Sequence, residues 1–405
     1  MFSKNILVVA GVFIPEPTVS ANLMADLAFD LANRGHNVTV LRPKPTRPLG
    51  ATIPIMDYSK LPYRVILIDS YTCPRSSFIG RFRESISMGH VVVNYIKKNY
   101  KSIDFIYNDP WHLFGVNMVS KIAVKYNIPY ITPIQDIYPE SLALKFNNRI
   151  LKALVIKLLF PLDKYSQKHA FKIHTISSKM VDYLSRTRDI SSDRYLMIRN
   201  WQDESRFMKY RNNHSLNIKG DKQFIFLFLG NLSPVTELDI VLAAFIKANL
   251  PNTKFIIAGN GSLKGKLQLM VKENSQINIE FLSAPFDEVP QIQEQADVLV
   301  LSLQKGVAGT AVPSKIPAYM FSAKPILASV DLNSDVAQII KDSKSGWVVE
   351  PSSKEAMMKK FVEIVNLDSS ILREMGENGF KYGMENFSKN KNLKKLTDAC
   401  INAIK

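Results

Sequence analysis

Residues 6–41 read ILVVAGVFIPEPTVSANLMADLAFDLANRGHNVTVL, and they decide the fold class. Ile6-Leu7-Val8-Val9-Ala10 is a short apolar run that reads as a buried strand. Residues 20–34 follow, with Leu23, Leu27, Ala28 and Leu31 at helical spacing. Gly35 sits where a helix needs a left-handed stop. Val38-Thr39-Val40-Leu41 is the next strand. Strand, helix and strand in so few residues form a βαβ unit, which predicts a parallel sheet.

The same alternation continues outward. Val65–Ile68, Phe105–Tyr107, Tyr130–Ile134 and Ile173–Ile176 read as further strands. Residues 202–222 turn polar and lose periodicity, as a linker does. A second series then opens at Phe224–Leu229 and runs through Phe255–Ala258, Ile279–Leu282, Val298–Leu301, Pro325–Ala328 and Gly346–Val349. The chain therefore reads as two doubly wound α/β domains in tandem, a division that 405 residues suit well. Sheets of this kind bind ligands beyond the carboxyl ends of their strands, so a cleft between the domains is the expected site.

Composition narrows the function. The formal charge of +16 is uneven: residues 1–200 hold 27 Lys and Arg against 14 Asp and Glu, and residues 201–405 hold 25 against 22. The first half therefore carries +13, which points to a polyanionic neighbour. Nucleic acid is set aside, because no recognisable nucleic-acid-binding signature is present. Cys73 and Cys400 offer neither a disulfide framework nor metal-ligand spacing, and they suit a reducing compartment. No HExxH, Cys/His cluster or P-loop is present, so no metal is expected. The opening apolar run has no cleavage-type site behind it. No uncharged stretch reaches the roughly 18 residues of a membrane span. A cytoplasmic protein, able to sit on a membrane face, is expected.

Chemistry could sit in four loops. Gly230-Asn231-Leu232-Ser233 follows a very apolar strand; it fits close ligand approach or an ordinary turn. Gly259-Asn260-Gly261 lacks full fingerprint spacing and reads mainly as turn chemistry. GVAGTAVPSKIPAYM, residues 306–320, brings Thr310, Ser314 and Lys315 to the start of a helical stretch. That arrangement fits a diphosphate cradle, or a capped helix with a surface lysine. Asp136 and Glu140 follow the strand at 130–134, where an acid or base could act; a helix cap is the plainer alternative.

At these residues the chain resembles bacterial glycosyltransferases of family 4, in the branch that builds surface polysaccharides and includes proposed N-acetylfucosaminyl transferases. Phe13-Ile14-Pro15-Glu16-Pro17 is similar to the family's N-terminal loop, and Gln135–Ser141 to its Asp-Leu-Trp-Pro-Glu-Ser segment. Arg199-Asn200-Trp201 is similar to the piece before the hinge. Gly230-Asn231-Leu232, Gly259-Asn260-Gly261 and Pro313-Ser314-Lys315 match donor-domain landmarks in order. The chain departs from the family where the paired donor-site glutamates would stand, at Thr310 and Ala318, and where Asn231 replaces an Arg.

The resemblance implies the GT-B fold, two Rossmann-like domains facing a central cleft. An acceptor domain would span 1–205 and a nucleotide-sugar domain 206–384, with a helix at about 385–405 packing back onto the first. It implies metal-independent, retaining transfer from a nucleotide diphosphate sugar, a UDP-sugar above all, with no cofactor. The acceptor would be lipid-linked or a saccharide, in O-antigen, capsule or exopolysaccharide assembly. Asp136 would be the catalytic group. Gly230, Asn231, Gly259, Gly261, Thr310, Ser314, Lys315 and Arg199 would bind donor, and Glu16 and Glu140 acceptor. An epimerase on the same fold and a non-catalytic nucleotide-sugar-binding subunit are the alternatives. Finally, Leu151, Leu154, Val155, Leu158, Leu159 and Leu162 share one helical face, with Arg149, Lys157, Lys164 and Lys168 on the other and a kink or restart of the helix expected at Pro161. This segment is either core packing or a contact with the anionic inner face of the cytoplasmic membrane.

Overall fold

A computed structural model describes residues 3–47, 53–73, 77–110, 113–213, 223–306, 313 and 315–404, apart from the side chains of residues 212, 213 and 286. The chain divides into two compact units, Met1–Asn200 with Asn392–Lys405, and Trp201–Lys391.

The N-terminal unit holds seven parallel strands: β1 (Asn5–Ala10), β2 (Asn37–Pro43), β3 (Arg64–Ile68), β4 (Phe105–Asp109), β5 (Tyr130–Ile134), β6 (Lys172–Thr175) and β7 (Tyr195–Met197). Their order is β3-β2-β1-β4-β5-β6-β7. β1 is buried from Ile6 onward, as a parallel strand covered on both faces must be. On one face Leu7 and Val9 join Met88, Val92 and Ile96 of the helix Phe78–Asn99. The first helix, Val19–Asn33, starts at Thr18, whose hydroxyl accepts from the Ala21 N–H, and Gly35 follows it at φ +86°.

The C-terminal unit holds β8 (Phe224–Leu229), β9 (Thr253–Ala258), β10 (Ile279–Leu282), β11 (Val298–Ser302), β12 (Ile326–Ser329) and β13 (Gly346–Val349), in the order β10-β9-β8-β11-β12-β13. Strand alternation splits β8 between two cores. Ile225 and Leu227 face one; Phe226 and Phe228 face the other. There Phe226, Phe245 and Phe255 surround Phe361 with ring centroids 4.8–6.2 Å away, mostly edge to face.

Each sheet reverses its strand order once, between β1 and β4 and between β8 and β11. These switch points are where doubly wound sheets open a crevice.

Three sequence expectations change. β7 lies at a sheet edge and was not among the expected strands. The polar stretch taken as a linker carries the helix Ser205–Asn213, anchored by buried Phe207. The helix Arg149–His169 continues through Pro161 and does not restart there. Pro161 is exposed, so the carbonyl it leaves unbonded, that of Lys157, is on a side that water reaches.

Candidate functional site

In the C-terminal unit, β8 and β11 pair only at Phe226–Val298 and Leu227–Leu299 and then part. The Tyr319 hydroxyl fills the gap, 3.1 Å from the Leu229 N–H and 3.2 Å from the Val300 carbonyl. Beyond it, the loops after β8 and β9 are laced together: the Gly230 N–H donates to the Ala258 carbonyl and the Leu232 N–H to the Asn260 carbonyl. The glycines here do different work. A Cβ on Gly259 would overlap the Gly230 carbonyl, and one on Gly261 the Leu232 carbonyl, so these two permit backbone-to-backbone packing. A Cβ on Gly230 would instead overlap the side chain of Lys315.

Lys315 thus lies across Gly230, at the switch point. Its Nζ stands 4.0 Å from the centroid of the Phe228 ring, a cation–π contact. No carboxylate among the described residues pairs with it, and burial lowers its pKa to about 8. Asn231 is exposed at the same loop. Thr310 and Ser314 lie outside the described residues. Arg199 belongs to the N-terminal unit, where its carbonyl accepts from Asn392 Nδ2 at 3.1 Å.

Next to the β1/β4 switch point of the N-terminal unit, β4 and β5 pair only through Ile106–Tyr130 and Tyr107–Ile131. A cavity of about 170 Å³ opens there, lined among others by Gly11, Asp109, Thr132, Gln135, Asp136 and Asp163. Asp136 is exposed at this cavity. Asp109 ends β4, opposite Ala10, with its carbonyl accepting from the Gly11 N–H at 2.8 Å. Burial pushes its carboxyl up to about 8. The sequence reading stopped the strand at Tyr107 and missed it. The available signal was an acid at a strand's carboxyl end, but its place beside β1 is a long-range pairing.

The two glutamates expected to hold acceptor are already engaged by protein groups. Glu16 is fully buried against Arg42 at 2.9 Å and accepts from the N–H groups of Phe13, Thr46 and Arg47. With both oxygens taken, it clamps the loop after β1 to the loop after β2. Glu140 is held by Arg188 and by the Tyr183 hydroxyl. Arg188 is fully buried; it also donates to Asp163 at 2.8 Å and to the Tyr138 carbonyl at 2.9 Å. Its role is to fix the loop that carries Asp136. His174 is likewise structural: its ring lies between the Tyr107 hydroxyl and the Ile198 carbonyl, and burial lowers its pKa to about 4.

Residues 20–206 match the model Glycosyltransferase Family 4, and residues 210–382 match Glycosyl transferases group 1. The Probable glycosyltransferase WbjE of Pseudomonas aeruginosa is 24% identical over 284 residues, 67% of this chain and 68% of that one. A Campylobacter jejuni enzyme, GalNAc-alpha-(1->4)-GalNAc-alpha-(1->3)-diNAcBac-PP-undecaprenol alpha-1,4-N-acetyl-D-galactosaminyltransferase, is 30% identical over 164 residues, 39% of this chain and 43% of its own length. Among solved structures, Anabaena Alr3699/HepE in complex with UDP superposes with a TM-score of 0.67 at 13% identity, over 98% of this chain and all of that one. Each half of the chain matches its own transferase model, and the protein belongs to the glycosyltransferases of the GT-B fold, family 4 in its N-terminal half and group 1 in its C-terminal half.

Proposed function

We propose that the protein transfers a sugar, with retention and without a metal, from a UDP-sugar to a lipid-linked or saccharide acceptor of bacterial surface-polysaccharide assembly. Lys315 is the observation that carries this reading. It is a largely buried cation at the crevice of the C-terminal unit, with no carboxylate partner among the described residues. When the bond to the sugar breaks, negative charge develops on the departing diphosphate, and a fixed cation in a poorly solvated place stabilises it. The diphosphate also returns to Lys315 the partner that burial took away. The backbone of Gly230 and Asn231 lies beside it to receive the rest of the nucleotide. UDP in the Anabaena structure and the undecaprenol-linked saccharide in the Campylobacter enzyme's name support the donor and acceptor classes.

The test is incubation with a panel of UDP-sugars and undecaprenyl-diphosphate saccharides, read by mass spectrometry. Free UDP with an extended lipid-linked product is expected. An isomerised UDP-sugar would instead establish the epimerase, and binding without turnover the non-catalytic subunit.

The acceptor class places the work at the inner face of the cytoplasmic membrane, and the helix Arg149–His169 supports that place. Of its residues only Asp163, Ser166 and Gln167 are buried. Ile150 is 80% exposed, Leu158 64% and Leu154 49%, and Leu144 just before is 68% exposed. Core packing therefore does not account for the apolar face. Lys145, Arg149, Lys152 and Lys157 surround it, and no acid occurs between residues 141 and 162. An apolar face with a cationic surround suits an anionic bilayer, at about 1 kcal/mol per basic residue near the surface. Among the described residues no helix is long and apolar enough to cross a membrane. Vesicle sedimentation tests the contact: binding to phosphatidylglycerol vesicles should exceed binding to phosphatidylcholine vesicles, fall with salt, and be lost in Leu154→Glu/Leu158→Glu. Equal recovery on both vesicles would remove it.

A further inference from the structure

Asp136 stands on the loop between β5 and the short helix Glu140–Ala143, and the two ends of this loop are held differently. Its far end is pinned by Arg188, which donates to the Tyr138 carbonyl at 2.9 Å and to the Glu140 carboxylate at 2.8 Å. Its near end is Gln135, the first residue after β5 and part of the cavity lining. Among the described residues one side-chain hydrogen bond holds Gln135. Its Oε1 accepts from Asn200 Nδ2 at 2.9 Å, across 65 positions of sequence. Asp136 is exposed between these two anchors.

Asn200 is a firm post for such an anchor. It follows β7 on a segment tied down residue by residue. The Ile198 N–H donates to the Thr175 carbonyl at 2.8 Å, and His174 Nε2 stands 3.0 Å from the Ile198 carbonyl oxygen. The Arg199 carbonyl accepts from Asn392 Nδ2 at 3.1 Å, and Asn392 is itself buried on the helix Lys389–Asn402. Both residues before Asn200 are therefore fixed, one to the sheet edge and one to a packed helix.

Stability does not explain an asparagine here. Its Oδ1 is buried and has no partner. An unsatisfied buried acceptor costs at least as much as one neutral hydrogen bond contributes, so an apolar residue of the same shape would serve the fold equally well. What the amide adds is direction. It fixes where the Gln135 side chain stands, which shape alone does not. We infer that Asn200 is a positioning residue, holding Gln135 and through it the start of the loop that carries Asp136. The inference rests on the transferase reading for the reaction that Asp136 serves. The anchoring itself rests on the geometry.

The experiment compares the full chain with Asn200→Leu, Gln135→Met and the double variant, each close in shape to what it replaces. One arm follows UDP release from UDP-glucose, UDP-galactose and UDP-N-acetylgalactosamine with an undecaprenyl-diphosphate disaccharide. Asn200→Leu should lower kcat about fivefold, the worth of one neutral hydrogen bond. The KM for the UDP-sugar should not change, and the melting temperature should be no lower than in the wild type. In the Gln135→Met background Asn200→Leu should cost nothing more, because it acts through Gln135. The second arm, without substrates, is hydrogen exchange of peptides spanning residues 134–141. Uptake should quicken in each single variant and no further in the double. An unchanged kcat, losses that multiply in the double variant, a kcat loss matched by a fall in melting temperature, or unchanged exchange would each overturn the inference. Absence of turnover in the wild type counts against the transferase reading instead, and the exchange arm then decides whether Asn200 holds the loop.

Discussion

Each unit places beside the switch point of its sheet one ionisable side chain with no ion-pair partner among the described residues. At the β8/β11 crevice it is Lys315, with its pKa brought down to about 8; at the β1/β4 crevice it is Asp109, with its carboxyl brought up to about 8. Burial is the cause in both cases. The contrast extends to what holds each unit together. Buried ion pairs stitch the N-terminal unit: Arg42–Glu16, Arg47–Glu84 and Arg188–Asp163. The described ion pairs of the C-terminal unit are exposed or half-exposed, and its core closes on aromatic rings. A sheet thus provides the crevice, and we propose that Lys315, which has no carboxylate partner among the described residues, selects an anion there.

The largest expected effect breaks the stitched side. Arg188→Ala leaves Asp163 buried without its cation and should cost about 3–5 kcal/mol. Chemical denaturation should show the N-terminal unit unfolding first, with the C-terminal transition unmoved. A single transition shifted by under 1 kcal/mol would show that the network matters little.

Lys315→Met tests the other crevice. UDP affinity should fall about 10- to 100-fold, the worth of one charge-assisted contact, while the melting temperature holds or rises because a buried ammonium is gone. In the wild type, UDP favours protonated Lys315, so affinity should fall as pH rises past about 8. An affinity unchanged between pH 7 and pH 9 would remove Lys315 from the donor site.

The glycines sharpen it further. Gly259→Ala forces a Cβ onto the Gly230 carbonyl at a φ of +139° and should destabilise the C-terminal unit by about 1–3 kcal/mol. Gly230→Ala is strained as well, at a φ of +144°, but it also displaces the flexible Lys315 side chain and should weaken UDP binding far more than Gly259→Ala does. Similar melting temperatures and UDP affinities for the two variants would show that the glycines are not so divided. Asp136→Asn is the mildest: exposed at the cavity, it should slow turnover several-fold and leave UDP binding unchanged. A wild-type rate would remove it from the chemistry.

By itself, the sequence determined the fold class and the tandem arrangement, and it singled out the loops proposed to hold the donor. Those depend on local signals: apolar runs such as Ile6–Ala10 and Phe224–Leu229, helical spacing in residues 20–34, and glycines at loop starts. Lys315 was legible because its helix start and its loop are contiguous in the chain. The use made of each carboxylate was not. Glu16 and Glu140 stand in loops that look functional, and only the folded chain brings Arg42 and Arg188 onto them. Asp109 looks like the end of a strand until β4 is laid beside β1, about a hundred residues earlier in the chain. Periodicity could show that the helix Arg149–His169 has an apolar face, but not that the face is left uncovered. Tertiary structure decided these points because a side chain's charge and solvation depend on neighbours that parallel strand pairing gathers from distant sequence, whereas strands and helices arise from neighbours along it.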